Sequence, residues 1–420
     1  WDCYGPAVNE VQLLGNARYM AEHLKAHGWQ YVVCDIQWYE PEAGQRHWEY
    51  NRFAELCMDG FGRLIPAENR FPSAANGAGF KPIADQIHAL GLKFGIHIMR
   101  GVPRLAVHRA LPVKDTNVTC RDIAHANSIC AWNTDMYGVD ADRDGAQAYY
   151  DAIFELYASW GVDYVKVDDI CNVKITPLEP YSARREIEMI RRAIDRCGRD
   201  MVLSLSPGPA VLEEAWHLAK NANMWRITDD FWDEWRLLKG MFERAEKWCV
   251  HAAPGHWPDA DMLPVGALRQ CYDPNGWTNF TQAEQRTMMT LWCMMRSPLM
   301  MGGGQEAGLR SGTENMAGIA ALGAVLDGTT LIERTAAVLA PQYDQRSRVY
   351  GWWQVFNIIG VILILILPTV VVPAQAAPKM PDAREGVGES RLPSGVDEPA
   401  RIRLRPLAGL PPCDGPFAFC

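Results

Sequence analysis

Short apolar runs recur along the chain, each followed by polar or glycine-rich residues. They read YVVCDIQW from Tyr31, LKFGIHIM from Leu92, DYVKVDD from Asp163, MVLSLSP from Met201, MWRITDD from Met224 and RSPLMMGG from Arg296. Their lengths suit strands buried on both faces. Between them lie stretches of helical period. NARYMAEHLKAHGW, FKPIADQIHALGL and GAQAYYDAIFELYASWGV each close near a glycine, the residue that most readily takes the left-handed turn ending a helix. ARREIEMIRRAIDRCGRD is a further, strongly charged amphipathic helix.

Strand, helix, glycine, strand is the βα unit, and its repetition predicts a parallel α/β fold. A (β/α)8 TIM barrel fits a repeat sustained over about 300 residues. A doubly wound open sheet is the rival. No GxGxxG follows the first strands, which weakens a dinucleotide-binding version, and the glycines at 302–304 lack the lysine of a phosphate loop. Asp35, His97, Lys166, Asp168, Ser206 and Asp230 all fall at or just after the carboxyl ends of apolar runs. In a barrel those ends share one face, where active sites are built. Any one of these residues could be a helix cap. Six together point to a site.

The totals narrow the class. The chain has 420 residues, 48% of them hydrophobic, enough for a large core. Its net charge is -9 and it has no long basic run, which argues against nucleic acid as a partner. Sixteen tryptophans suit a large aromatic core, and also the stacking faces of a sugar-binding cleft. Twelve cysteines without CxxC spacing exclude a zinc ribbon and leave disulfide pairing open. Asn117-Val-Thr and Asn279-Phe-Thr fit the glycosylation acceptor pattern.

The run YVKVDDIC from Tyr164 sets a lysine beside two adjacent aspartates. Lys166 and Asp168 are two apart, so in a strand they share a face, which in a barrel is the interior. There the lysine would favour the ionised aspartate. Asp169 would point outward and make a structural hydrogen bond towards the helices. A buried, ionised carboxylate suits the nucleophile of a glycoside hydrolase, which needs a second carboxylate across the scissile bond. WRITDDFWDEW offers Asp229 and Asp230 for the acid/base.

WGVDYVKVDD (160–169) resembles the nucleophile strand of glycoside hydrolase family 27, the α-galactosidases and α-N-acetylgalactosaminidases. WDCYG resembles the end of that family's first strand, with the start of the strand missing. YVVCDIQW, GLKFGIHI, MWRITDD, GHWPDADML and RSPLMMGG match its second, third, sixth, seventh and eighth strands. The motifs run in order over about 1–302, in a form that looks bacterial. The resemblance implies a retaining glycosidase that needs no metal and no organic cofactor. Its partner would be a carbohydrate carrying a terminal α-D-galactose or a related sugar, released through a covalent glycosyl-aspartate.

By motif, Asp168 matches the nucleophile and Asp230 the acid/base, with Asp229 as fallback. Retention implies that the two carboxyl groups stand ~5–5.5 Å apart. Trp1, Asp35, Lys166 and Arg226 match sugar-contacting positions. His97 and Ser206 are expected there too, although the family pattern has other residues: a tyrosine for His97, and Cys-Glu-Trp where SLSPGPA stands. Ile36 replaces the second of two adjacent aspartates. These departures admit a related α- or β-L-pyranoside as substrate. Asp259 and Asp261 read as mainly structural.

Beyond Gly302 the text changes. Residues 302–325 resemble a segment of pyridoxal-phosphate cysteine desulfurases in which Arg310 matches a carboxylate-binding arginine. The cofactor-lysine motif and catalytic cysteine loop of those enzymes are not recognisable, so the unrelated segment at 303–340 is not expected to work as one. Residues 341–377 are hydrophobic, with a candidate membrane span at 356–372 that is short and interrupted by Pro368. The Pro/Gly-rich tail at 378–420 reads as disordered. The β-sandwich that usually follows the family's barrel is not apparent. The alternative reading is therefore an inactive or membrane-tethered composite with a glycosidase-like fold. Nothing in the sequence fixes an oligomeric state.

Overall fold

The computed structural model describes residues 1–44, 53–171, 178–206 and 208–304. In chain order the helices are α1 (Glu10–Tyr19), α2 (Lys81–Ala89), α3 (Arg104–Arg109), α4 (Cys120–Ile123), α5 (Ala146–Trp160), α6 (Arg184–Arg196), α7 (Ala215–Asn221), α8 (Trp235–Trp248) and α9 (Gln282–Met295). The strands are β1 (Tyr31–Cys34), β2 (Lys93–Met99), β3 (Val102–Pro103), β4 (Ala124–Ile129), β5 (Met136–Val139), β6 (Tyr164–Asp168), β7 (Val202–Leu205), β8 (Met224–Arg226) and β9 (Trp257–Asp259).

One sheet runs β1-β2-β6-β7-β8-β9 with every neighbouring pair parallel. The fold is a (β/α)8 TIM barrel in which these six strands are regular staves. The first and eighth positions are irregular. Leu263 bridges Met301 in parallel, and the Gly302 amide donates to the Leu263 carbonyl at 3.0 Å. A Cβ on Gly302 would stand 2.0 Å from Asp2 Oδ2, so the glycine lets the segment after the eighth position pack against the start of the chain. The eighth strand expected from RSPLMMGG is thus reduced to a single bridge. Pro298 offers no amide to a ladder, and the glycines that follow have no side chain to pack.

The helices follow the predicted periods. α1 opens on a capping box between Asn9 and Gln12, then continues through one wide turn (Met20–Leu24) and one tight turn (Lys25–His27) to Gly28 at φ 100°. α5 ends at Gly161, φ 82°. Behind β1, β2 and β6 the core is aromatic. Phe80 packs on Trp38, Phe71, Phe94 and Trp160, and the Trp38 indole donates to the His97 carbonyl at 2.8 Å.

Between β2 and β6 the chain makes a long excursion. It carries α3, α4 and an antiparallel sheet of order β3-β5-β4, yet β2 and β6 pair directly beneath it, from Gly95↔Tyr164 to Met99↔Asp168. Gly101 (φ 97°) opens the excursion, where a Cβ would fall 1.9 Å from the Tyr137 carbonyl oxygen.

Just past the stretch assigned to the barrel, 1–302, the Gly304 amide donates to the Ala267 carbonyl at 2.9 Å. The rest of the desulfurase-like segment with Arg310, the hydrophobic run with its candidate span at 356–372, and the tail lie outside the described residues. Among the described residues no helix is long and apolar enough to cross a membrane, and the cysteines are free thiols.

Candidate active site

The carboxyl ends of the staves bring the predicted residues together. Asp35 follows the last residue of β1, His97 lies within β2, Lys166 and Asp168 alternate with Val165 and Val167 on β6, and Ser206 follows β7. Parallel register sets His97 beside Lys166, and Lys166 beside Ser204.

His97 joins two of the carboxylates. Its Nδ1 is 2.7 Å from Asp35 Oδ1 and its Nε2 is 3.2 Å from Asp168 Oδ2. The backbone nitrogen of Trp1 stands 2.6 Å from Asp35 Oδ2. Burial alone would raise the Asp168 carboxyl, but the His97 hydrogen bond and charge, then Arg226 and Lys166, bring it below its ordinary value. At Asp35 the charge and hydrogen bond of His97, and then Lys166, favour the ionised form against the same burial. Burial pulls Lys166 down, yet Asp35 and, more weakly, Asp261 and Asp168 turn the balance and favour its charged form. The lysine thus contributes as the sequence suggests, but His97 and Arg226 act more strongly on Asp168.

Arg226, the last residue of β8, is buried. Its guanidinium donates to Asp230 Oδ1 at 2.9 Å and to the Thr228 carbonyl at 3.1 Å, and reaches Asp261 Oδ2 at 3.5 Å. Burial lowers its basicity, but Asp261, Asp230 and Asp168 together raise it. The same cation thus pairs with Asp230, which is 64% exposed on the loop after β8, and its charge also favours the ionised form of the buried Asp168. Ser206 is buried, its amide donates to the Val167 carbonyl at 2.7 Å, and its hydroxyl has no hydrogen-bond partner among the described residues.

Three parts of the site escaped sequence reasoning. Asp169 sits at φ 53°, which aims its amide at Asp168 Oδ1, 2.6 Å away. Its carboxylate pairs with Arg100 at 2.9 Å, and the same guanidinium is held by Glu186 of α6 at 2.9 Å and by Ser128 Oγ at 2.9 Å. Asp169 does reach towards a helix, as expected, but through an arginine at the end of β2. Second, Asp261 reaches Arg226 and accepts from the Phe231 amide at 2.8 Å. Third, Asp259 is buried beside Asp261, and burial followed by that neighbour's charge raises it to about 7.

The arrangement presents an ionised carboxylate held on both oxygens, cations around it, and a second carboxylate on the same arginine. Comparison with known proteins gives these features a family. The alpha galactosidase A family model matches residues 134–311. Alpha-galactosidase 3 of Arabidopsis thaliana is 31% identical over 250 residues, which are 60% of this chain and 44% of that protein. The chain spans about half the length of the first such curated relatives, from 44% to 59%. The crystal structure of a family 27 β-L-arabinopyranosidase from Geobacillus stearothermophilus superposes with a TM-score of 0.71 and 59% identity, over 77% of this chain and 72% of that one. A variant of that enzyme in complex with arabinose matches with a TM-score of 0.70 and 58% identity, over 77% and 73%. With the carboxyl-end cluster in place on the barrel and this extent of similarity, the chain belongs to glycoside hydrolase family 27.

Proposed function

We propose that this barrel hydrolyses O-glycosidic bonds with retention, releasing a terminal α-D-galactose or a closely related sugar. The observation that carries the reading is Asp168, buried, ionised and fixed at the carboxyl end of β6 by His97 and the Asp169 amide, with Arg226 favouring its charge and paired with Asp230. Asp168 attacks the anomeric carbon. The bond to the leaving oxygen breaks as Asp230 gives that oxygen a proton, leaving a glycosyl ester on Asp168. Asp230 then takes a proton from water, whose oxygen attacks the same carbon and frees Asp168. Trp1, Asp35, His97, Lys166, Ser206 and Arg226 are the sugar contacts. The scheme uses no metal and no organic cofactor.

Within that class, one residue favours a β-L-arabinopyranoside. Ile36 follows Asp35 where an α-galactosidase pattern carries a second aspartate. An apolar side chain offers no hydrogen bond to a sugar hydroxymethyl group, and β-L-arabinopyranose has the ring configuration of α-D-galactose without that group. The similarity to the Geobacillus β-L-arabinopyranosidase supports the same choice. The test is release of nitrophenol from the α-D-galactoside, the β-L-arabinopyranoside and a panel of other glycosides, beside Asp168→Asn. Release that disappears in the variant supports the reading, and the fastest substrate names the sugar. A well-folded chain silent on the whole panel would refute it.

A further inference from the structure

We infer that Trp132 forms a stacking platform for the leaving group, an outer subsite for a second sugar ring or an aryl group, built on the excursion between β2 and β6. The inference rests on the glycosidase reading of the inner site.

The geometry that points there is local and continuous. The segment between β4 and β5 starts at the buried Cys130, just after Ser128, whose Oγ shares the Arg100 guanidinium with Asp169 at the end of β6, each at 2.9 Å. It ends at Asp135, whose Oδ2 accepts from Gln37 at 3.2 Å and from the Tyr39 hydroxyl at 3.3 Å. Gln37 and Tyr39 belong to the loop after β1, just past Asp35. The segment therefore spans from the end of β6 to the end of β1, over the stave that carries His97. Trp132 lies within that span. Its ring meets the Trp1 ring edge to face, with centroids 6.1 Å apart and planes at 73°, and it stays 37% exposed.

Both anchors of the segment are buried, so the tryptophan is carried on a fixed support. Asn133 is fully buried and its Oδ1 accepts from the Asp135 amide at 3.0 Å. Arg104 adds a hydrogen bond to the Thr134 carbonyl at 2.9 Å, and its own amide donates to the Asp135 carbonyl at 2.9 Å. An indole held this way presents a rigid apolar face with little ordering cost on binding. The apolar C–H face of a pyranose, or an aryl ring, is the chemistry that fits it. Trp1 supplies the inner wall, beside Asp35, and Trp132 continues that wall outward.

The test compares wild type, Trp132→Ala and Trp132→Phe on two probes. The first is a disaccharide glycoside of the sugar that the panel identifies, and the second is the free monosaccharide as inhibitor. Trp132→Ala is expected to raise KM for the disaccharide about tenfold. The inhibition constant of the monosaccharide, which fills the inner pocket alone, should stay within about twofold, and Trp132→Phe should recover most of the loss. An unchanged KM in Trp132→Ala, with wild type turning over normally, overturns the platform and leaves the glycosidase reading standing. Equal weakening of both probes also overturns it, because Trp132 would then only support Trp1. A wild-type chain that neither hydrolyses the disaccharide nor binds either sugar by calorimetry sinks both readings.

Discussion

His97 and Asp168 meet at 3.2 Å across β2 and β6, and the far nitrogen of the same imidazole reaches Asp35 at 2.7 Å. The ring is the strongest favourable influence on the Asp168 carboxylate, ahead of either neighbouring cation. Replacing His97 with phenylalanine should therefore raise the Asp168 carboxyl. The acid limb of kcat/KM should move to higher pH, because more acid-side enzyme would hold a protonated nucleophile. A pH profile of the variant checks this. A limb that stays put would mean that Arg226 and Lys166 suffice.

Asp168→Asn should lower kcat about a thousandfold or more while the protein still melts cooperatively, since the amide keeps the shape and loses the nucleophile. Wild-type turnover in the variant would remove Asp168 from the mechanism.

Asp230→Asn should depend on the leaving group. Acid assistance matters most when the departing oxygen is basic, so alkyl glycosides should lose far more rate than nitrophenyl ones. A leaving-group series on wild type and variant reads this directly. Equal losses across the series would move the acid role to Asp229.

Asp259 should show itself in the pH dependence of stability. Its folded carboxyl is raised to about 7, above its unfolded value, so its contribution is fully present at acid pH and is lost as pH rises through about 7. Above that point a buried carboxylate is carried at a cost on the order of a few kcal/mol. Asp259→Asn should therefore gain melting temperature over wild type at pH 8 and gain much less at pH 4. The opposite order would show that the group is ionised in the fold at all pH values.

Arg100→Met should cost about 3–5 kcal/mol, because it strands the buried Glu186 carboxylate and the half-buried Asp169 beside it. Denaturant unfolding gives the number. Adding Glu186→Gln should return part of the loss by removing one of the stranded charges.

The staves and their helices were legible because burial on two faces and a 3.6-residue period both leave marks in the local sequence. YVKVDD shows its strand, its interior face and its carboxyl end within six residues. The excursion was not legible. AHANSI, which forms β4, is polar and mostly exposed, and its pairing is decided by β5 and Gly101, not by its own pattern. The Arg100–Glu186 pair joins residues 86 positions apart and leaves no local trace. An arginine at the end of a barrel strand was the one available hint. The left-handed turn at Asp169 was hidden for another reason: aspartate tolerates that conformation without announcing it as glycine would.

Because β2 pairs with β6 underneath it, the excursion is a side road and not part of the wall. The proposed nucleophile, Asp168, sits on a stave, and the surface proposed to meet the departing half of the substrate sits on the detour. Such a protein can change what it accepts at its outer edge by rewriting one insert, while the chemistry beneath is inherited unchanged.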